Sequence, residues 1–274
     1  MSAQGRVPAS RKTARYGWVP DLPDARDHLY AAPQIALAAL PPSVDMRSDC
    51  PAVYNQGRIG SCTANAIAAA FEFDLMKQDL QVFAPSRLFI YYNEREIEGH
   101  VNSDSGAQIR DGIKSVAILG VCPEDEWPYD DTPAVSDGGP FPPGARDGEK
   151  PSAQCYQDAL NNRVTTYRRL LRDPDQMRGC LAAGYPFVFG FTVYESFESR
   201  EVADSGMVPM PQPGEQVLGG HAVFAVGYDD STQRFTVRNS WGTDWGQAGY
   251  CTMPYAYLTT RGMASDFWTT RVVT

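Results

Sequence analysis

The sequence predicts an α+β protein of two lobes, with helices in the first half of the body and strands in the second. Helix-period segments run from Cys62 to Gly120, and strand-like segments with turn residues between them run from about Val164 onward. Between them lies "DTPAVSDGGPFPPGARDGEKPS" (131–152), rich in Pro, Gly and Asp, which reads as a long loop or lobe connection. A chain of 274 residues, 43% of them apolar, suffices for one large core or two smaller lobes.

Residues 1–39 read as an N-terminal extension. "GWVPDLPDARDHLYAAP" has three prolines and four charged residues and neither a helical nor a strand period. Tyr16, Trp18, Leu22 and Tyr30 are its candidate anchors to the body. The body, residues 40–274, opens at "LPPSVDMR". Its first helix starts near Cys62, where "CTANAIAAAFEFDLMKQD" places Ala66, Ala69, Ala70, Phe73 and Met76 on one side. Small residues allow close packing, so this helix is expected to be central. "PSRLFIYYNERE" and "SGAQIRDGIKSVAILG" predict two further helices, the second stopped by Gly120. "VTTYRRL", "PFVFGFTVY", "HAVFAVGYD", "RFTVRNSW" and "AGYCTMPY" predict strands, with "DPDQMRGCLAAG" a short helix among them. The expected division is a helical lobe at about 40–155 and a β lobe at about 156–274. No internal repeat is visible.

The net charge is −9, and the body from Leu40 onward holds 19 basic against 30 acidic residues. That balance argues against nucleic acid or an anionic membrane as partner. Arg6, Arg11, Lys12 and Arg15 give the extreme N-terminus the opposite sign. No apolar run approaches the ~20 residues needed to span a bilayer. The N-terminus lacks the apolar stretch of a secretory signal, so no compartment is read from it. Six cysteines, none in a C-x-x-C pair, and three histidines argue against a zinc site of usual spacing. An even cysteine count permits disulfides, but a chain of this size does not need them, so mostly reduced thiols are expected.

In "YNQGRIGSCTANAIAAAFEF" (54–73) a polar loop runs into an alanine-rich helix, with Cys62 at the junction. Unpaired N–H groups and the helix dipole there favour a thiolate, the reactive form of cysteine. Of the three histidines, His221 opens the apolar strand of "LGGHAVFAVGYDD", with Gly219 and Gly220 leaving room beside it. A histidine so placed suits a general base. The next strand returns through "RFTVRNSW" and brings Asn239 toward His221, where its side chain can fix the imidazole tautomer. Trp241 can shield that hydrogen bond from water. The side-chain amide of Gln56 and the backbone N–H of Cys62 can then serve as oxyanion donors.

These blocks resemble the papain family of cysteine peptidases, in that family's order from about residue 40 to 255. "LPPSVDMR" resembles the start of its mature enzymes, and "NQGRIGSC" its Gln-to-Cys loop. "DSGAQIRDGIKSVAILG" and "DEWPY" resemble the helix after its substrate-binding glycine pair and its Tyr-Pro-Tyr segment. "GGHAVFAVGYD" and "VRNSWGTDWGQAGY" resemble its His and Asn blocks. The resemblance implies a papain-like fold, a helical left lobe and an antiparallel β-sheet or barrel right lobe with the active-site cleft between. It implies Cys62 as nucleophile, His221 as base and then acid, Asn239 as orienter and Gln56 as oxyanion donor. Ser105, Gly106, Gly220 and Trp241 are the implied substrate-side residues. The implied reaction is hydrolysis of peptide or protein substrates through a thioester. No metal or organic cofactor is called for, and a monomer is expected.

The sequence departs from the family in places. The family pattern C-G-[SA]-C-[WY] is here Ile59-Gly60-Ser61-Cys62-Thr63, without the upstream cysteine or the following aromatic. That removes a familiar disulfide and fits a reducing compartment. Ser105 replaces the first glycine of the pair. Cys62 and His221 are 159 residues apart, more than the usual ~130–150. The extension is too short and proline-rich for the family's helical propeptide, yet it stands where that propeptide stands, so docking on the cleft is expected of it. The rival readings are another acyl transfer or an exopeptidase activity on the same machinery, a non-catalytic binding protein of the same fold, and a redox or metal-binding protein.

Overall fold

The computed structural model describes residues 16–272. In chain order the elements are α1 (Gln34–Leu37), β1 (Ser43–Asp45), α2 (Cys62–Lys77), α3 (Arg87–Glu98), α4 (Ile109–Leu119) and α5 (Ala153–Ala159). There follow β2 (Val164–Arg169), α6 (Pro174–Ala182), β3 (Phe187–Tyr194), α7 (Arg200–Ser205), β4 (Val217–Asp229), β5 (Arg234–Arg238), β6 (Tyr250–Pro254), α8 (Tyr255–Thr259) and β7 (Ala264–Val272). Helix ends follow local chemistry. The Ser86 hydroxyl accepts from Phe89 N at the start of α3, and Gly99 closes that helix at φ 77°. Asp173 caps α6 by accepting from Asp175 N and Gln176 N, with Pro174 at the first helical position. Among the described residues no helix is long and apolar enough to cross a membrane.

The strands form one antiparallel sheet in the order β2-β7-β3-β4-β5-β6, with β1 also on β4. The apolar run of β3, FVFGFTVY, is buried along most of its length, as expected for an interior strand covered on both faces. Helix α2 lies between this sheet and helices α3 and α4. Its alanines bring it close to β4, and Ala64, Ala68 and Ala69 are fully buried. The expected apolar side of α2 is therefore a correction: burial runs around the helix from Cys62 to Leu75, while Met76 is only half-buried.

Three further differences concern the lobes. β1 precedes every large helix yet pairs with β4, so the opening of the body is stitched into the sheet. α5 runs across the expected boundary at 155/156. β7, α1, α5, α7 and α8 were not anticipated.

Candidate active site

Cys62 is the first residue of α2, reached through a loop that is held at several points. Gln56 N donates to Ser240 O at 2.8 Å, and Gly60 N donates to both carboxylate oxygens of Asp104 at 2.9 and 3.1 Å. The Tyr129 hydroxyl donates to Gln56 O at 2.9 Å and lies 2.6 Å from Ser61 Oγ. The guanidinium of Arg87 stacks 3.7 Å from the Tyr129 ring and donates to Asn55 O. The Gln56 side chain is aimed from both ends. Its oxygen accepts from Ser240 Oγ at 2.7 Å, and one N–H reaches Ile59 O at 3.0 Å. An amide nitrogen carries two hydrogens, so a second donor remains for a ligand.

His221 sits in β4 opposite Phe191 of β3, and Asn239 directly follows β5. His221 Nε2 and Asn239 Oδ1 are 2.8 Å apart. The same Oδ1 accepts from Ser240 N at 2.8 Å, which identifies it as the amide oxygen. An oxygen only accepts, so Nε2 carries the hydrogen and Nδ1 is the basic nitrogen. Nδ1 has no hydrogen-bond partner, nor do Asn239 Nδ2 and Trp241 Nε1, although all three are buried. Trp241 covers the imidazole, ring centroids 5.1 Å apart and planes 31° apart. The backbone of Ala222, next to His221, and that of Gly17 and of Thr63 favour the charged form of the Cys62 thiol.

The N-terminal segment fills the groove between these residues. Trp18 N donates to Gly220 O at 2.9 Å on the sheet side. On the helical side Ala107 N donates to Gly17 O at 2.7 Å and Val19 N to Ala107 O at 3.0 Å. Trp18 and Ala107 pair in parallel. The Tyr16 ring meets His221 edge-on at 5.9 Å, and its hydroxyl bonds Glu198. The Trp18 indole lies over Gly190 and Gly220, and its N–H donates to Asp266 at 3.2 Å. Two glycines permit this fit. Gly106 takes φ +69°, and a Cβ at Gly17 would stand 1.5 Å from the Gly60 carbonyl oxygen.

This cover sets the electrostatics. Cys62 and His221 are both 0% exposed. Burial pushes the Cys62 thiol up to about 12, against the lowering by the backbone N–H groups. Burial likewise lowers His221 to about 4, with the Asn239 hydrogen bond acting in the opposite direction. Burial under Tyr16, Gly17 and Trp18 thus works against the thiolate that the helix start favours, and against the imidazolium.

The structure gathers Cys62, His221, Asn239, Gln56, Gly106, Gly220 and Trp241 around one groove. Ser105 lies at its edge with its hydroxyl donating to Gly106 O at 2.9 Å. His28 and His100 are exposed and away from it. Of the four expected anchors, Tyr16 and Trp18 are buried and Tyr30 packs against the core, but Leu22 is 70% exposed. Leu22 contributes through its backbone instead, its carbonyl accepting from Arg110 at 2.5 Å and its N–H donating to Gln108 at 3.0 Å. Arg6, Arg11, Lys12 and Arg15 lie outside the described residues. Sequence reasoning missed Asp104, Tyr129 and Ser240, which hold the loop, and Tyr91, whose hydroxyl bonds Asp104 and accepts from Gly106 N at 3.2 Å on the facing wall. Ser240 lies inside the Asn block and Tyr129 inside "DEWPY", so their positions were in view while their partners were not.

All six cysteines are free thiols. Residues 40–269 match the family model described as papain family cysteine protease. The chain is similar to xylellain, a cysteine protease from Xylella fastidiosa, at 51% identity and a TM-score of 0.91, covering 97% of this chain and 99% of that one. It is 44% identical over 229 residues to a peptidase C1-like protein of Acanthamoeba polyphaga mimivirus, covering 80% of this chain and 70% of the relative. Procathepsin B S9 from Trypanosoma congolense shares the fold at a TM-score of 0.72 and 18% identity, over 94% of this chain and 87% of that one.

Proposed function

The chain belongs to the papain family of cysteine proteases, and on that premise we propose that Cys62, His221 and Asn239 cleave peptide bonds internally in a groove that residues 16–19 hold closed. The observation that carries the reading is the His221–Asn239 hydrogen bond of 2.8 Å, which leaves Nδ1 as an unpartnered base in β4, the strand against which the helix that begins at Cys62 packs.

When the cover leaves, water returns and the burial that works against thiolate and imidazolium is relieved. His221 Nδ1 then takes the Cys62 proton, and the α2 N-terminus favours the thiolate. Sulfur attacks the substrate carbonyl carbon. The oxyanion meets the backbone N–H of Cys62 and the free N–H of Gln56. The imidazolium protonates the leaving amine and a thioester remains. His221 next deprotonates a water, which attacks the thioester and restores the thiol. Asn239 keeps the imidazole in the required tautomer throughout.

The cover itself resists cleavage for a geometric reason. The Gly17 carbonyl is held by Ala107 N at 2.7 Å, and the effect of the Gly17 backbone on the thiol is the charge-favouring one of an N–H. The segment beyond is clasped to both lobes. Arg110 of α4 and Arg169 of β2 both pair with Asp27 at 2.7 and 2.9 Å, and Arg169 also reaches Asp266 at 2.9 Å. The Trp268 indole N–H donates to Asp21 at 2.8 Å.

The test compares the full chain with one starting at Leu40, both folded, on a diverse peptide library and with a thiol-directed epoxide. Faster internal cleavage and faster labelling after truncation, reversed by adding the 1–39 peptide, support the reading. Removal of single terminal residues only would refute the endopeptidase assignment, and equal labelling of both forms would refute the cover.

A further inference from the structure

Away from the groove, two buried cysteines meet where the segment after α4 passes the start of α5. The Sγ atoms of Cys122 and Cys155 and a carboxylate oxygen of Glu126 all lie within 4.8 Å of one another. Bond lengths of ~2.3 Å to sulfur and ~2.0–2.2 Å to oxygen place the donors of a tetrahedral ion about 3.5–4 Å apart, so the cluster needs only a small contraction. The thiols face inward and Glu126 is exposed, which gives an ion a way in.

A second observation concerns charge. Glu126 lies beside Asp158, one turn along α5 from Cys155, and Asp158 accepts from Gln154 Nε2 at 2.8 Å. Neither has an ion-pair partner among the described residues. Two carboxyl groups without a cationic partner thus stand next to two thiols, a donor set suited to a divalent cation. The thiols are also oriented. Ser152 Oγ, the cap of α5, lies 3.1 Å from Cys155 Sγ, and Cys155 Sγ lies 3.7 Å from Glu126 O. Contacts of this kind aim ligands at a metal centre.

We propose that Cys122, Cys155 and Glu126 bind one thiophilic divalent cation of the zinc class, with Asp158 holding the water at its fourth position. Binding converts both thiols to thiolates and releases their two protons to solvent, with no change of oxidation state. The ion would tie the segment leading to Tyr129, which supports Gln56 O and Ser61, to helix α5. Neither cysteine lies in a C-x-x-C pair, so linear spacing concealed the cluster.

The test uses the full chain with Cys62→Ala, reduced with a phosphine and stripped of metal, titrated with Co²⁺ and then Zn²⁺. The expected result is one equivalent of Co²⁺, a sulfur-to-cobalt charge-transfer band with intense tetrahedral d–d absorption, bleaching by Zn²⁺, and a higher thermal midpoint with metal. In that background Cys122→Ser should lose the band, Glu126→Gln should weaken binding about tenfold or more, and Cys180→Ser should change nothing. Glu126 is exposed, so its variant serves even where Cys122→Ser misfolds. No uptake, octahedral absorption, a band that survives in both variants, or a Cys122–Cys155 disulfide in place of metal binding would overturn the proposal.

Discussion

Replacing Gly17 with alanine should open the groove without touching a catalytic group. The added Cβ would stand 1.5 Å from the Gly60 carbonyl oxygen and 2.4 Å from its carbon. Both are backbone atoms, and Gly60 N is itself tied to Asp104. The segment therefore has to leave rather than adjust. Leaving exposes Tyr16 and Trp18, now 7% and 9% exposed, at ~1.5–3 kcal/mol for each side chain. It also gives up three backbone hydrogen bonds worth ~0.5–1.5 kcal/mol each. Against this, four residues regain backbone freedom worth ~1–2 kcal/mol each. With the Tyr16–Glu198 and Trp18–Asp266 hydrogen bonds also lost, the balance favours the closed form by about 3.5 kcal/mol, which corresponds to well over tenfold in accessibility. The assay is the rate of Cys62 alkylation by a thiol-directed epoxide, followed by mass spectrometry, beside the rate of peptide cleavage. Both should rise tenfold or more in Gly17→Ala, with the fold unchanged by circular dichroism. If the folded variant labels and cleaves at the wild-type rate, the segment does not gate the thiol.

Other outcomes follow from the same geometry. Asn239→Ala should lower turnover less than His221→Ala, because the base survives while its tautomer is no longer fixed; kcat on one substrate compares them. Gln56→Ala should cost about 2.7–4 kcal/mol of transition-state stabilisation, read from kcat/KM with chemistry rate-limiting. The pH response of the cover turns on Asp21, whose carboxyl is raised to about 6 by burial and then by Asp266. A raised acid binds its proton more tightly when docked, so its contribution to docking is full below the free value of 3.8 and is lost as pH rises through about 6. Labelling of Cys62 should therefore accelerate across that range more in the wild type than in Asp21→Asn, and identical pH profiles would remove Asp21 from the clasp.

The catalytic blocks were legible because their chemistry is local. A thiol at a helix start, a histidine opening an apolar strand and an asparagine on the returning hairpin all lie in short stretches whose secondary structure predicts their meeting. The all-round burial of α2 was not legible, since it depends on a sheet and two helices closing over it from opposite sides. β1 is three residues long, too short for a period to register. β7 escaped because Asp266 takes φ 57° and the β3–β7 register shifts between Val188 and Gly190, which breaks the alternation a strand would show. Aromatic anchors in the extension were visible as types. The roles of Gly17, which has no side chain, and of Leu22, which works through its backbone, emerge only from the docked path.

The central claim is that Cys62 is the nucleophile of a peptidase, and active-site titration of the full chain tests it most directly. A thiol-directed epoxide is added in steps, residual peptide cleavage is measured at each, and the modified residue is mapped by mass spectrometry. The account predicts that cleavage falls in proportion to modification of Cys62 alone and reaches zero at one equivalent, with Cys50, Cys122, Cys155, Cys180 and Cys251 unmodified at that point. Cleavage that persists with Cys62 fully modified, or that vanishes while Cys62 stays free, would contradict it.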